Sequence, residues 1–189
     1  MNTYFKTIFI LGVAAWLSCC NMGEKDNAEY CDDIMHVTLF ASLRDSIMSS
    51  PYSTMNLLKK MRENTNDSIS SYSLLLQISI CYIWAGERDS AMMMQQKVLD
   101  YCKRAEPAPC LLQLQLEAYL GYAVRLAEIE EYDSAIVYFD KSLYAMMKSG
   151  DRHRITNIYT GLAICYHRKS AYSQASYYYQ RYCFEFRSS

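Results

Sequence analysis

One phrase returns three times along this chain. Arg88-Asp89-Ser90-Ala91-Met92 recurs as Tyr132-Asp133-Ser134-Ala135-Ile136 and, more loosely, as Tyr172-Ser173-Gln174-Ala175-Ser176. Its alanines stand 44 and then 40 residues apart. Each copy opens an amphipathic stretch and follows another one. A helix pair that recurs at such a period predicts a stack, because one pair cannot bury its apolar face alone and needs a neighbour to cover it. Architectures of that kind present surfaces for binding and are not built around an enclosed reaction site.

The residues between the phrases agree with helix. Only six glycines and three prolines occur in 189 residues, and Pro51, Pro107 and Pro109 fall between candidate helices. A first helical stretch runs from Asp32 to Ser49, with Ile34, Val37, Ala41 and Met48 near one stripe. Pro51 ends it, and Ser53 is placed to cap the next, which carries Met55, Leu57, Leu58 and Met61 before a polar turn at 64–68. Ser71 to Trp84 shows Leu74, Leu75, Ile78, Cys81 and Tyr82 at helical spacing. Gly86 marks a turn before a helix through Ala91, Met94, Val98 and Cys102. Further pairs are read at Leu111 to Ile129 with Asp133 to Lys148, and at Asp151 to His167 with Tyr172 to Phe186. Links as short as Glu130-Glu131-Tyr132 force successive helices to run antiparallel. The predicted fold is therefore all-α, a solenoid of about four antiparallel helix pairs.

The N-terminus reads as a targeting segment. Lys6 precedes an apolar run from Ile8 to Leu17, long enough for a signal peptide and too short to cross a bilayer as a helix. Cys19 and Cys20 follow directly. Trp16-Leu17-Ser18-Cys19-Cys20 resembles the lipobox of bacterial lipoproteins, in which the chain is cut before a cysteine that carries lipid. Ser18 supplies the small residue before Cys19, whereas Leu17 takes the usual leucine position for Cys20, so both registers stand. The resemblance implies export and a lipid anchor in the bacterial cell envelope, facing the periplasm. Three segments result: a signal peptide with lipobox at 1–19, a flexible tether at 20–30 and a helical repeat domain at 31–189. Without the signal the chain holds 18 basic and 20 acidic residues and has no basic block, which argues against nucleic acid as a partner. Of the six remaining cysteines, Cys81 and Cys165 sit in apolar settings that suit buried free thiols, and Cys102 and Cys110 flank a proline turn across which a bridge is conceivable.

The helix pairs resemble the tetratricopeptide repeat. In that family's pattern, small residues stand at positions 8 and 20 and large ones at 11 and 24. A register starting at Leu116 places Ala123, Leu126, Ala135 and Phe139 there. One starting at Thr156 places Ala163, Tyr166, Ala175 and Tyr179, and one starting at Tyr72 places Ser79, Tyr82, Ala91 and, as a departure, Gln95. Small side chains let the two helices approach, and large ones fill the gap to the next pair. The spacings of 44 and 40 exceed the family's 34, so these repeats are extended. With the lipoprotein-type signal, the Asp-Ser-Ala phrases also look like the periplasmic sensor region of tetratricopeptide regulators from the Bacteroidota. Two organisations follow: an independent lipoprotein, or the front of a longer regulator.

Catalytic chemistry is not written in the sequence. His36, His153 and His167 are scattered and form no metal-ligand spacing. No phosphate loop, dinucleotide loop or nucleophile elbow occurs, and the acidic residues Glu128, Glu130, Glu131 and Asp133 read as a solvated edge. No cofactor is implied. The function expected is that of a non-catalytic protein- or peptide-binding scaffold; the alternative class is an enzyme or enzyme subunit acting on an envelope substrate. In the family, first helices line a concave groove. The corresponding residues here include Leu76, Ile80 and Trp84, then Leu120 and Glu128, then Asn157, Thr160, His167 and Arg168. The first group is apolar, which suits a hydrophobic or extended peptide, although the same side chains also suit packing between helices. Tyr172, Tyr177, Tyr178, Tyr179 and Tyr182 crowd the last helix. Tyr179 and Tyr182 are expected to pack between helices, and Tyr177 and Tyr178 are left without an assignment.

Overall fold

The computed structural model describes residues 39–150, 152 and 154–188, with side chains described from Leu43 to Arg187. The signal segment, Cys19 and Cys20, the tether, the start of the first predicted helix, His36 and His153 lie outside the described residues. Among the described residues there are eight helices and no strand. They are α1 (Leu39–Ser49), α2 (Pro51–Glu63), α3 (Ser68–Trp84), α4 (Arg88–Arg104), α5 (Pro109–Glu128), α6 (Tyr132–Ser149), α7 (Ile155–Arg168) and α8 (Tyr172–Ser188). None is long and apolar enough to cross a membrane. The chain divides into two compact units, one up to Ala91 and one from Met92, with the boundary inside α4.

In the first unit α2 packs on α3, and α1 packs on both. Leu43, Ile47, Met55, Leu58, Met61, Leu74, Ile78 and Cys81 form the core. The inward stripe of α1 is thus Leu43 and Ile47; Met48, expected there, is 46% exposed. Pro51 is the first residue of α2, where its missing N–H costs nothing. Ser53 consequently lies within the helix and caps nothing, a correction to the sequence reading. Thr54 ties the corner instead, its hydroxyl donating to the Ser46 and Ser50 carbonyls at 3.0 and 3.1 Å. Asp67 starts α3 by accepting from the Ser70 N–H at 2.6 Å. From Leu74 to Ser79 every residue of α3 is buried, so this helix has no outward face over that span. The Ser79 hydroxyl is satisfied within the helix by the Leu76 carbonyl at 2.6 Å.

In the second unit α5 pairs with α6 and α7 with α8, while α7 also packs on α5 and α6. Their core includes Leu116, Ala123, Leu126, Ala135, Phe139, Met146, Ile158 and Leu162. Ser142 is fully buried at the α5–α6 seam and donates to the Leu116 carbonyl at 3.0 Å. Cys102 and Cys110 are not joined to each other, so the bridge considered across the proline turn is not formed, and Cys81, Cys165 and Cys183 are free thiols. Burial pushes the Cys81 and Cys165 thiols up to about 11 and that of Cys102 up to about 12.

The returning phrase has a backbone counterpart. Gly86, Glu130 and Ser170 each end a helix in the left-handed region, with φ of 82°, 65° and 59°. After each, the next N–H reaches back to a carbonyl five residues earlier: Glu87 to Tyr82 at 2.8 Å, Glu131 to Leu126 and Ala171 to Tyr166 at 2.9 Å. This is a Schellman ending, which satisfies carbonyls that the helix itself leaves open. The phrase alanines Ala91, Ala135 and Ala175 then donate to Glu87, Glu131 and Ala171 in the first turn of the next helix.

Candidate binding surface

The sequence-derived groove residues fall into three environments. Leu76 and Leu120 are only 4% and 7% exposed. They do not line a surface, and their place is in the packing. Ile80 is half-buried, and Trp84, at the end of α3, is 52% exposed. Glu128, Asn157, His167 and Arg168 are exposed, and Thr160 is half-buried with its hydroxyl donating to the Thr156 carbonyl at 2.8 Å.

On α7 the outward residues form one stripe. Asn157, Thr160, Ile164, His167 and Arg168 follow at helical intervals while Ile158, Leu162 and Cys165 face the core. Ile164 is 43% exposed, an apolar side chain with polar neighbours on its stripe. The corresponding part of α5 offers half-buried Val124 and Ala127 and exposed Glu128. Ion pairs hold the charges in place. Arg125 pairs with Glu128 at 2.6 Å and Arg154 with Glu117 at 2.7 Å, the second carrying an α7 end against α5. Lys169, just beyond α7, pairs with Asp133. The Lys169–Asp133 pair is open to solvent and contributes little stability, whereas the Arg125–Glu128 and Arg154–Glu117 pairs are largely covered. Glu128, Glu130, Glu131 and Asp133 are all exposed, as a solvated edge requires.

The tyrosines sort differently from the expectation. Tyr178 packs against the core and stacks on Tyr166, with ring centroids 5.6 Å apart and planes 6° from parallel. Burial, with Asp140 nearby, raises its phenol to about 12. Tyr182 also packs inward, as expected. Tyr179 does not: it is 41% exposed. The cause is helix phase. Ala175, Tyr178 and Tyr182 share the inward face, and Tyr172 and Tyr179 share another. Sequence reasoning did not single out that second face, although its spacing of three and four was present. A further aromatic group joins Tyr119, Tyr122 and Tyr138, with the Lys141 ammonium 4.7 Å from the Tyr138 ring centre.

Among the described residues no group of three or more histidines, cysteines or carboxylates is arranged to hold a metal ion. No protein-family model matches the chain, and no curated protein matches it.

Proposed function

We propose that this protein is a tetratricopeptide-like scaffold that binds a peptide or protein along its first helices. Lipid on Cys19 or Cys20 would hold it to the bacterial envelope. One observation carries the reading: the same helix-turn-helix joint occurs three times, with buried small residues on both sides of it. Ser79, Ala123 and Ala163 are fully buried on the first helices, and Ala91, Ala135 and Ala175 are at most 2% exposed on the second. Those are the positions that the repeat resemblance requires to be small. With this joint spent on packing, the free side of α7 is left as the surface for a partner. Asn157, Thr160 and Arg168 supply hydrogen bonds there, and Ile164 supplies an apolar anchor. A sensory module of a signalling system is the role that the resemblance to the Bacteroidota regulators adds, with peptide occupancy as the signal.

The test is peptide display against the full chain. A peptide consensus is expected to emerge and to be lost in an Ile164→Glu, Arg168→Glu double variant that keeps its helicity. Enrichment equal on the chain and on the variant would remove α7 from the binding surface. The anchor is tested apart from this: mass spectrometry of the N-terminal peptide is expected to show an acylated Cys19 or Cys20, and an intact Met1 on the cellular product would refute it.

A further inference from the structure

The buried joint fixes the register of the second helices, and in that register their outer side carries a second repeat. Four residues after the phrase alanine stand Gln95 and Phe139, each 1% exposed. Both sit against a glycine of the following pair. A Cβ on Gly121 would come within 3.1 Å of the Gln95 side chain, and one on Gly161 would strike the Phe139 ring. Tyr179 holds the same place in α8. Positions two and six after the alanine lie on the opposite side of each helix, about 200° and 240° around it. Two after it come Met93, Val137 and Tyr177, exposed by 52%, 51% and 52%. Six after it come Lys97, Lys141 and Arg181, all exposed. These six residues belong to the second unit. In the first unit α2 keeps the cation. Its fourth residue, Thr54, is buried as the phrase alanines are, Leu58 four further on is fully buried, and Lys60 six further on is exposed.

Charge says what such a face meets. Lys97, Lys141 and Arg181 have no carboxylate partner among the described residues. The Lys141 ammonium lies 4.7 Å from the Tyr138 ring centre, and the Arg181 guanidinium 5.8 Å from that of Tyr177. Most carboxylates of these helices are already taken. Asp100 is held by Lys103 at 3.1 Å, Glu185 by Arg152 at 2.6 Å and Asp133 by Lys169, which leaves Asp89 and Asp140. The chain as a whole is slightly acidic, with a net charge of −1, so an excess of cations on this side sets it apart. The cations stand one to a helix, each about 6 Å beyond its apolar companion. That spread matches separate phosphates on a plane, whereas a cluster of protein carboxylates would be met by cations converging on one point. Apolar side chains that enter a short way, beside long cations that keep their heads at phosphate level, are how a surface helix rests on lipid. α6 turns Ala135 and Phe139 into the core it shares with α5 and α7, so Val137 and Lys141 point away from the α7 stripe. Lipid on this side leaves the free side of α7 to a peptide.

We propose that the outer face of α4, α6 and α8 rests on an anionic lipid surface. The choice of lipid rests on the anchor proposed above, which holds the chain beside a bilayer. The test uses the full chain, purified with its native N-terminus and mixed with two kinds of vesicle: phosphatidylcholine alone, or phosphatidylcholine and phosphatidylglycerol in equal parts. Hydroxyl radicals generated in the water then oxidise the side chains that water reaches, and mass spectrometry reads Met93 and Tyr177. Both are expected to be oxidised several-fold less on the phosphatidylglycerol vesicles. About 1 M salt, where screening acts over ~3 Å, is expected to remove the difference. The triple variant Lys97→Glu, Lys141→Glu, Arg181→Glu is expected to remove it too, with helicity unchanged because all three positions are exposed. Pelleting the vesicles separates this face from the anchor. A chain that pellets with phosphatidylglycerol vesicles alone, with both residues protected, would keep the face and remove the anchor. A chain that pellets with both kinds while Met93 and Tyr177 oxidise equally on them would keep the anchor and overturn the proposal, leaving the cations to an acidic protein. Protection that survives in the triple variant would overturn it as well.

Discussion

At Glu130 and Ser170 the chain holds ordinary side chains in a backbone region that favours glycine, and at Gly86 it uses glycine itself. The left-handed conformation costs an L residue about 1–2 kcal/mol, part of which glycine returns through its freer unfolded state. Glu130→Gly and Ser170→Gly are each expected to stabilise the fold by about 0.5–1 kcal/mol, and Gly86→Ala to destabilise it by a similar amount. Urea denaturation of the three variants checks the signs. Thiol chemistry divides at the same scale. Cys81, Cys102 and Cys165 are buried, with protonated thiols held far above neutral pH, whereas Cys183 is exposed. Maleimide labelling at neutral pH followed by peptide mapping is expected to modify Cys183 in the folded chain. The other three are expected to react only after denaturant is added, because the attacking species is the thiolate and burial suppresses it.

Between elements, the glycine notch on α7 decides how close α6 can come. Gly161→Ala places a methyl group in the Phe139 ring, which is walled in and cannot swing away. A loss of about 1–3 kcal/mol is expected, the cost of an extra group in a filled core, read as a fall in the urea midpoint. The α4–α5 contact differs in chemistry. Gln95 occupies the equivalent notch with its Oε1 lacking a hydrogen-bond partner. Gln95→Met keeps the length and removes the stranded oxygen, so a gain of about 1 kcal/mol is expected in the same experiment. The helices themselves were legible in the sequence because apolar spacing, Pro51 and Gly86 mark them, although Asp67, read as part of a turn, starts its helix at Ser68 and not at Ser71. The left-handed endings at 130 and 170 were not, because glutamate and serine carry no turn signal there. Nor does spacing separate a groove residue from a core residue. Leu76 and Leu120 have the right phase for a groove, yet neighbours cover them, and only tertiary packing decides that. Tyr178 and Tyr179 show the same limit: one residue is about 100° of helix, and a run of tyrosines leaves the phase undetermined.

For the molecule as a whole, stability is expected to be unevenly shared. The first unit's core is held by residues up to Cys81, and the second has its own core from Leu116 onward. Leu58 is fully buried in the first. Leu58→Ala is expected to cost about 2–5 kcal/mol there. Hydrogen exchange should show faster amides in α2 and α3 than in α7 and α8, since repeat arrays pass stability mainly between neighbours. Equal acceleration throughout would mean a single cooperative block. The joint between pairs has a consequence for growth by duplication. A tandem copy of the α7–α8 segment, joined in the same register, would bring a second Gly161 to the place where Tyr179 now stands open. The notch that already admits a phenylalanine would have to admit only one more hydroxyl. Lengthening this array would therefore require little invention at the new boundary, because the last helix already presents the side chain, and the segment before it already carries the recess.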